Sequence, residues 1–253
     1  DCDRFVEIWN LVFTQYNRQE DGSLAPLPHK NVDTGMGLER MVRVIQGVRT
    51  NFDIDIFSPI IKGIEDIAHL KYDGKSENSI LMRRISDHIK ACVFCIGDGV
   101  LPGNEGRGYV ERRLLRRAIR DGTQLGVKES FLYKLIPIVS DVMQEPYPDI
   151  KQRRENIARI IKSEEEKFHE TLEQGTRILD DIMATLQKNQ QKVLSGKESF
   201  KLYDTYGFPL DMTEAILMEK GFTVDKDGFE EELKKQRVQA RTASQMTGQV
   251  FDT

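Results

Sequence analysis

The sequence predicts an α+β fold that is mostly α, on three observations. The opening residues are dense in β-branched and aromatic side chains and carry an Asp-Gly turn, apolar residues from about position 53 onward recur at helical spacing almost without a break, and no run approaches the roughly 18 apolar residues that a membrane-spanning helix needs. The 253 residues, 39% hydrophobic and 31% charged, can build a sizeable core and cover it, which excludes a disordered or fibrous chain. Mean hydropathy is −0.48, so no membrane association is expected. The balance of 37 basic against 41 acidic residues gives a net charge of −4, so any nucleic-acid surface must be local.

The order of elements follows from the local pattern. Phe5 to Phe13 is expected to form a mostly buried strand, and Glu20-Asp21-Gly22-Ser23 a turn into a proline-bearing return limb, Leu24 to Pro28. A second extended piece, Asn31-Val32-Asp33, leads through Gly35-Met36-Gly37 into a helix carrying Leu38, Met41, Val42 and Ile45. After that, Ile56, Ile60, Ile61, Ile64 and Ile67 form one helical stripe, and Ile80, Leu81, Ile85, Ile89, Cys92 and Ile96 a second. Further helices are expected over 108–120, 130–144 and 151–190, the last long enough for a hairpin or bundle strut. A short helix ends at Gly207, and Asp211-Met212-Thr213-Glu214 has the spacing of a capping box for a helix running to Lys220. The boundary between a small β part, 1–57, and a helical part, 58–253, is placed near residue 57. The β part is too small to close a core by itself, no basic and apolar leader opens the chain, and the expectation is an internal piece of a longer protein.

Three cysteines, Cys2, Cys92 and Cys95, are too few to staple a chain of this size and fit a reducing, cytoplasmic setting. Cys92 and Cys95 form a C-x-x-C one turn after His88, but no fourth ligand of matching spacing is visible, so they are read as core and no zinc is expected.

Three groups of residues could carry chemistry. Gly35 and Gly37 let backbone approach a ligand at a helix start, where free N–H groups favour an anion, and Arg40 could reach the same anion; the alternative is a tight turn with a surface ion pair. From 107 to 120 there are six arginines against one glutamate, and Arg112, Arg113, Arg116, Arg117 and Arg120 gather along one side of a helix. An arginine-only stripe suits phosphates better than a mixed solvated face does. Glycines 103, 106 and 108 place Asn104 at a loop tip, either as a helix N-cap or as an amide that reads a base edge. Asp204 is either a turn carboxylate or an acceptor for a base amino group, and Asp33 either a strand-end residue or an anchor for an ammonium.

Four blocks together, Phe5 to Phe13, Asn31 to Arg40, Leu101 to Arg117 and Leu202 to Pro209, resemble the alanyl-tRNA synthetases, a class II aminoacyl-tRNA synthetase family. The resemblance implies the C-terminal part of a class II antiparallel sheet, beginning just before the third family motif, followed by a helical tRNA-recognition domain. It implies ATP- and Mg²⁺-dependent activation of alanine to alanyl-adenylate and transfer to tRNA(Ala). By resemblance, Trp9, Asn10 and Val12 would line the alanine pocket with Gly35, and Asp33 would hold the ammonium. Gly35, Gly37 and Arg40 would meet ATP, with Asp33 and Arg40 as the catalytic pair. Asn104 and Asp204 would read a G·U pair in the acceptor stem from opposite grooves, with Arg107, Arg112, Arg113, Arg116 and Arg117 on flanking phosphates. The first two family motifs, the editing domain and the C-terminal oligomerisation segment have no counterpart here, so this stretch alone is expected not to form adenylate. Two other readings stand beside this one: a stand-alone acceptor-stem binding module without catalysis, and a helical scaffold whose arginines pair with a partner's acidic helices.

Overall fold

The computed structural model describes residues 5–236, so Cys2 and the C-terminal run from Gly248 lie outside the described residues. An antiparallel hairpin comes first, made of β1 (Trp9–Arg18) and β2 (Leu24–Met36). Its turn is the expected Asp-Gly: Gly22 has φ 84, and the Asp21 carboxylate accepts hydrogen bonds from the backbone N–H and the hydroxyl of Ser23 at 2.9 and 2.6 Å. Two expectations are corrected here. The strand begins at Trp9 rather than Phe5 and is not buried: Trp9, Leu11 and Phe13 are 56%, 54% and 68% exposed, because among the described residues the sheet has two strands, exposed along nearly their whole length. The return limb and the extended piece at Asn31 are one strand, with the extra residues absorbed where pairing jumps from Thr14↔Asn31 to Tyr16↔Pro26.

A helix, α1 (Leu38–Gln46), follows Gly37 directly and ends at Gly47 in the left-handed region, φ 65. After a 3₁₀ turn at Asn51–Asp53, capped by Thr50, come α2 (Ser58–Ala68), α3 (Glu77–Gly97), α4 (Gly106–Gln124), α5 (Leu132–Met143) and α6 (Pro148–Lys188). The two expected stripes bury Ile60, Ile61 and Ile64 on α2, and Ile85, Ile89, Cys92 and Ile96 on α3. Ile80, expected on an apolar face, is about half exposed at 52%. The 41-residue α6 is the expected strut: Ile157, Ile161, Phe168, Leu172, Leu179, Met183 and Leu186 are buried along one face, with α4 and α5 packed on it.

Next come β3 (Val193–Leu194), α7 (Gly196–Tyr206), α8 (Leu210–Glu219) and β4 (Thr223–Val224), with β3 and β4 parallel and residues 226–236 helical. α7 stops at Gly207, φ 65, as expected. The fully buried Phe208 then pins the α7–α8 corner to α6, where a Cβ at Gly175 would sit 2.2 Å from its ring. The capping box at Asp211 does not form. Pro209 is the N-cap of α8, and the Asp211 carboxylate turns instead toward α4 arginines.

Two buried carboxylates lie between these helices. Glu165 of α6 caps α5, accepting from the backbone N–H of Phe131 at 2.8 Å and of Leu132 at 3.2 Å. Burial pushes its pKa up to about 7 from 4.5, against those two hydrogen bonds, which lower it. Because the folded value lies above the unfolded one, the stability from neutral Glu165 is complete below about pH 4.5 and is lost as the pH rises through about 7. Between pH 4.5 and 8, Glu165→Gln, which keeps an acceptor but cannot ionise, should gain on the wild type by roughly 3 kcal/mol in urea unfolding; parallel pH profiles for the two proteins would refute this. Glu111 of α4 lies beside Cys92 and Cys95, and burial pushes it up to about 6. Both cysteines are free; Cys92 is buried in the core, as expected, with its thiol raised well above its usual value by burial, whereas Cys95 is only partly buried, its thiol also raised.

Candidate functional site

The sequence-predicted residues fall into two groups. The first is on the hairpin and the start of α1. Strand pairing sets Asn10 opposite Gly35 and Val12 opposite Asp33, so these four residues share one face. The Asn10 amide oxygen accepts from the Gly35 N–H at 3.1 Å, and a Cβ on Gly35 would lie 3.3 Å from that oxygen. Trp9 is opposite Met36 on the other face, where its indole N–H donates to the Thr34 hydroxyl at 2.5 Å. The structure therefore brings Asn10, Val12, Asp33 and Gly35 together and leaves Trp9 apart from them. Asp33 accepts from the backbone N–H of Thr34 at 2.8 Å. At the helix start, the Gly37 N–H is used by the Ile8 carbonyl at 3.0 Å, and Arg40 donates one N–H to the Glu7 carbonyl at 2.7 Å. No other hydrogen bond of Arg40 to the described residues is formed, so the rest of its fork can meet an anion.

The second group forms a cleft of about 300 Å³ between α4 and the α7–α8 corner. Asn104 and Asp204, a hundred positions apart, both line it, together with Arg112, Arg113 and Arg116. Two glycines of the Asn104 loop, Gly106 and Gly108, have a geometric reason, and a backbone bond at Gly103 closes the loop. Gly106 has φ 56, the Gly103 N–H donates to the Gly108 carbonyl at 2.9 Å, and a Cβ on Gly108 would fall 2.5 Å from the Leu101 carbonyl oxygen. Asn104 is not an N-cap, since Glu105 takes that position without a side-chain bond; its amide oxygen accepts instead from Arg112. Asp204 accepts from the Gln236 amide at 2.5 Å.

The arginine stripe departs from expectation. Its members pair with carboxylates of the chain's own helices: Glu164 of α6 lies 2.9 Å from Arg112 Nε and 3.4 Å from Arg116 Nε, and Asp211 of α8 is 2.8 Å from Arg113 Nε and 3.1 Å from Arg117 Nη2. Arg116 also donates to the Gly207 carbonyl at 3.2 Å and lies over the Phe168 ring, 4.7 Å from its centroid. Arg120 is turned to Glu219 at 2.6 Å. Arg117 does not line the cleft, and Arg107 is exposed with no ion pair to the described residues. The face is thus a clamped arginine comb in which Arg112, Arg113 and Arg116 keep one side toward the cleft.

Sequence reasoning missed Glu164, Asp211, Tyr109 and Tyr203, all on the cleft or its supports. For Glu164 a signal existed: it falls on the Ile157, Ile161, Phe168 stripe, where a carboxylate needs a partner.

The family model for class II (A) tRNA synthetases matches residues 1–253. The chain belongs to this family. Among curated relatives it is 51% identical over 246 residues to the alanine–tRNA ligase of Halalkalibacterium halodurans, covering 97% of this chain. It is 51% identical over 243 residues to that of Geobacillus thermodenitrificans, and 50% identical over 244 to that of Bacillus anthracis, covering 96% of the chain in each case. The chain spans about 28% of the length of each of these class II synthetases. Among the described residues no helix is long and apolar enough to cross a membrane, and no cluster of three or more His, Cys, Asp or Glu side chains is arranged to hold a metal.

Proposed function

We propose that the chain is the part of an alanine–tRNA ligase that carries one wall of the aminoacyl-adenylate site, within 1–57, and the reader of the tRNA acceptor stem, within 58–253. The whole enzyme would activate alanine with ATP and transfer it to tRNA(Ala) in the cytoplasm. The single observation that carries the reading is the cleft that joins Asn104 to Asp204 beside three arginines. An amide and a carboxylate at one site suit a G·U pair, whose guanine amino group is left without a partner.

On the hairpin, Asp33 would hold the alanine ammonium, Asn10 and Val12 would flank the methyl group, and Gly35 would let the adenylate lie against the backbone. The unused donors of Arg40 fit a phosphate. Alanine's carboxylate would attack the α-phosphate and displace pyrophosphate, so the protein supplies position and positive charge rather than a nucleophile. Among the described residues no carboxylate cluster is arranged to hold Mg²⁺.

The internal ion pairs set an expectation for salt dependence. Six free arginines would give a slope of log K against log salt near −5, whereas a comb shared with Glu164 and Asp211 should give roughly −2 to −3 with an acceptor-stem hairpin. Affinity that does not change with salt would contradict the reading. The exposed hairpin favours a second reading, an acceptor-stem binding module without catalysis. ATP–pyrophosphate exchange separates the two: the longer ligase should show it, this stretch alone should not, and a module would show it in neither form.

A further inference from the structure

We propose that Arg112 is a positioning residue that fixes Asn104 as a hydrogen-bond donor, so that the cleft meets a base pair with one donor and one acceptor of set polarity. The inference rests on the reading of the cleft given above and deepens it. An asparagine amide can turn either end toward a base, its oxygen accepting or its nitrogen donating. A guanidinium carries donors only, so the amide atom that meets Arg112 Nη1 is the oxygen, and the two N–H groups of Nδ2 are left for a ligand. The same guanidinium reaches the Pro102 carbonyl at 3.4 Å, two residues before Asn104, so it holds the loop backbone together with the side chain. Arg112 is itself held, its Nε 2.9 Å from Glu164 Oε1 and its side chain only 23% exposed. The chain of support therefore runs from Glu164 on the long helix through Arg112 to the loop tip.

Across the cleft, an ionised Asp204 can only accept, and one of its oxygens is already engaged by Gln236. The complementary base pair thus offers an acceptor to Asn104 in one groove and an amino group to Asp204 in the other. A pair that presents a donor to Asn104 or an acceptor to Asp204 leaves a desolvated group without a partner. Arg112 contributes to discrimination through Asn104 rather than by touching a phosphate, and this separates it from its neighbours in the stripe.

The test measures dissociation constants of the 253-residue chain for two acceptor-stem hairpins, one with G·U and one with a Watson–Crick pair at the third position, at fixed salt. The wild type should prefer G·U about tenfold, and Asn104→Ala should bring the ratio close to 1. Arg112→Ala should bring the ratio down to within about twofold of Asn104→Ala, and the double variant should be no worse than either, as for residues that act as one unit. Arg112→Lys, which keeps the charge but lacks the fork, should lose most of the preference as well. Should Arg112→Ala fold poorly, Arg112→Lys and Asn104→Asp carry the test. The aspartate keeps its bond to Arg112 but has no donor, so it should lose the preference with an unchanged or raised melting temperature. If Arg112→Ala and Arg112→Lys weaken both hairpins alike and keep the ratio, Arg112 is a phosphate contact and the inference is overturned while the cleft reading stands. If the wild type shows no preference, the cleft reading fails and takes the inference with it.

Discussion

Glu164→Ala should lower the stability of the helical part by about 3 kcal/mol, a drop in melting temperature of roughly 10 °C. The carboxylate is 9% exposed and shared by Arg112 and Arg116, whose side chains are 23% and 19% exposed. Removing it leaves two half-buried guanidinium groups facing each other, with Arg116 retaining only the Gly207 carbonyl and the face of Phe168. Breaking such a pair from one side costs far more than the pair itself contributes, because the uncompensated charge stays in place. Glu164→Gln, which keeps an acceptor of the same shape, should recover part of the loss. Heat or urea unfolding checks both variants, and a change below about 0.5 kcal/mol for Glu164→Ala, the range of ordinary surface substitutions, would mean that the arginine comb is solvated and not clamped.

The second large effect is on recognition. Asn104→Ala and Asp204→Ala should each remove most of the roughly tenfold preference for a G·U hairpin, about 1 kcal/mol, while changing stability little. Both side chains are exposed and neither packs in the core. Arg107→Ala is the useful contrast: exposed and without an ion pair to the described residues, it should weaken both hairpins equally and leave the ratio alone. Equal losses in all three variants would place Asn104 and Asp204 among the phosphate contacts.

Much of the fold was legible because it rests on periodicity. The stripe on α3 and the one along α6 are apolar at three- and four-residue spacing, and helices built on them bury those residues whatever their neighbours are. What failed depended on contacts distant in sequence. The apolar run from Phe5 looks like a buried strand, yet a strand is buried only if something covers it, and β1 has β2 alone. The Asp211 capping pattern is correct in spacing, but two arginines nearly a hundred residues earlier compete for the carboxylate more strongly than the helix end does. The arginine stripe was read from one helix, and its partners Glu164 and Asp211 lie on two others. At the candidate site, residue types were legible but their grouping was not. Asn104 and Asp204 were singled out separately, and only the α7–α8 corner pinned by Phe208 puts them on one cleft. On the hairpin, strand alternation already separates Trp9 from Asn10 and Val12, but register was needed to show which of them share a face with Asp33.

The measurement that tests the central claim most directly is binding of the wild-type chain to the two acceptor-stem hairpins at fixed salt, differing only at the third base pair. Tighter binding of the G·U hairpin, by about tenfold, is the result that a cleft built from a donor at Asn104 and an acceptor at Asp204 predicts. Equal affinity for both hairpins would show that the chain holds only the phosphate backbone, and would contradict the account.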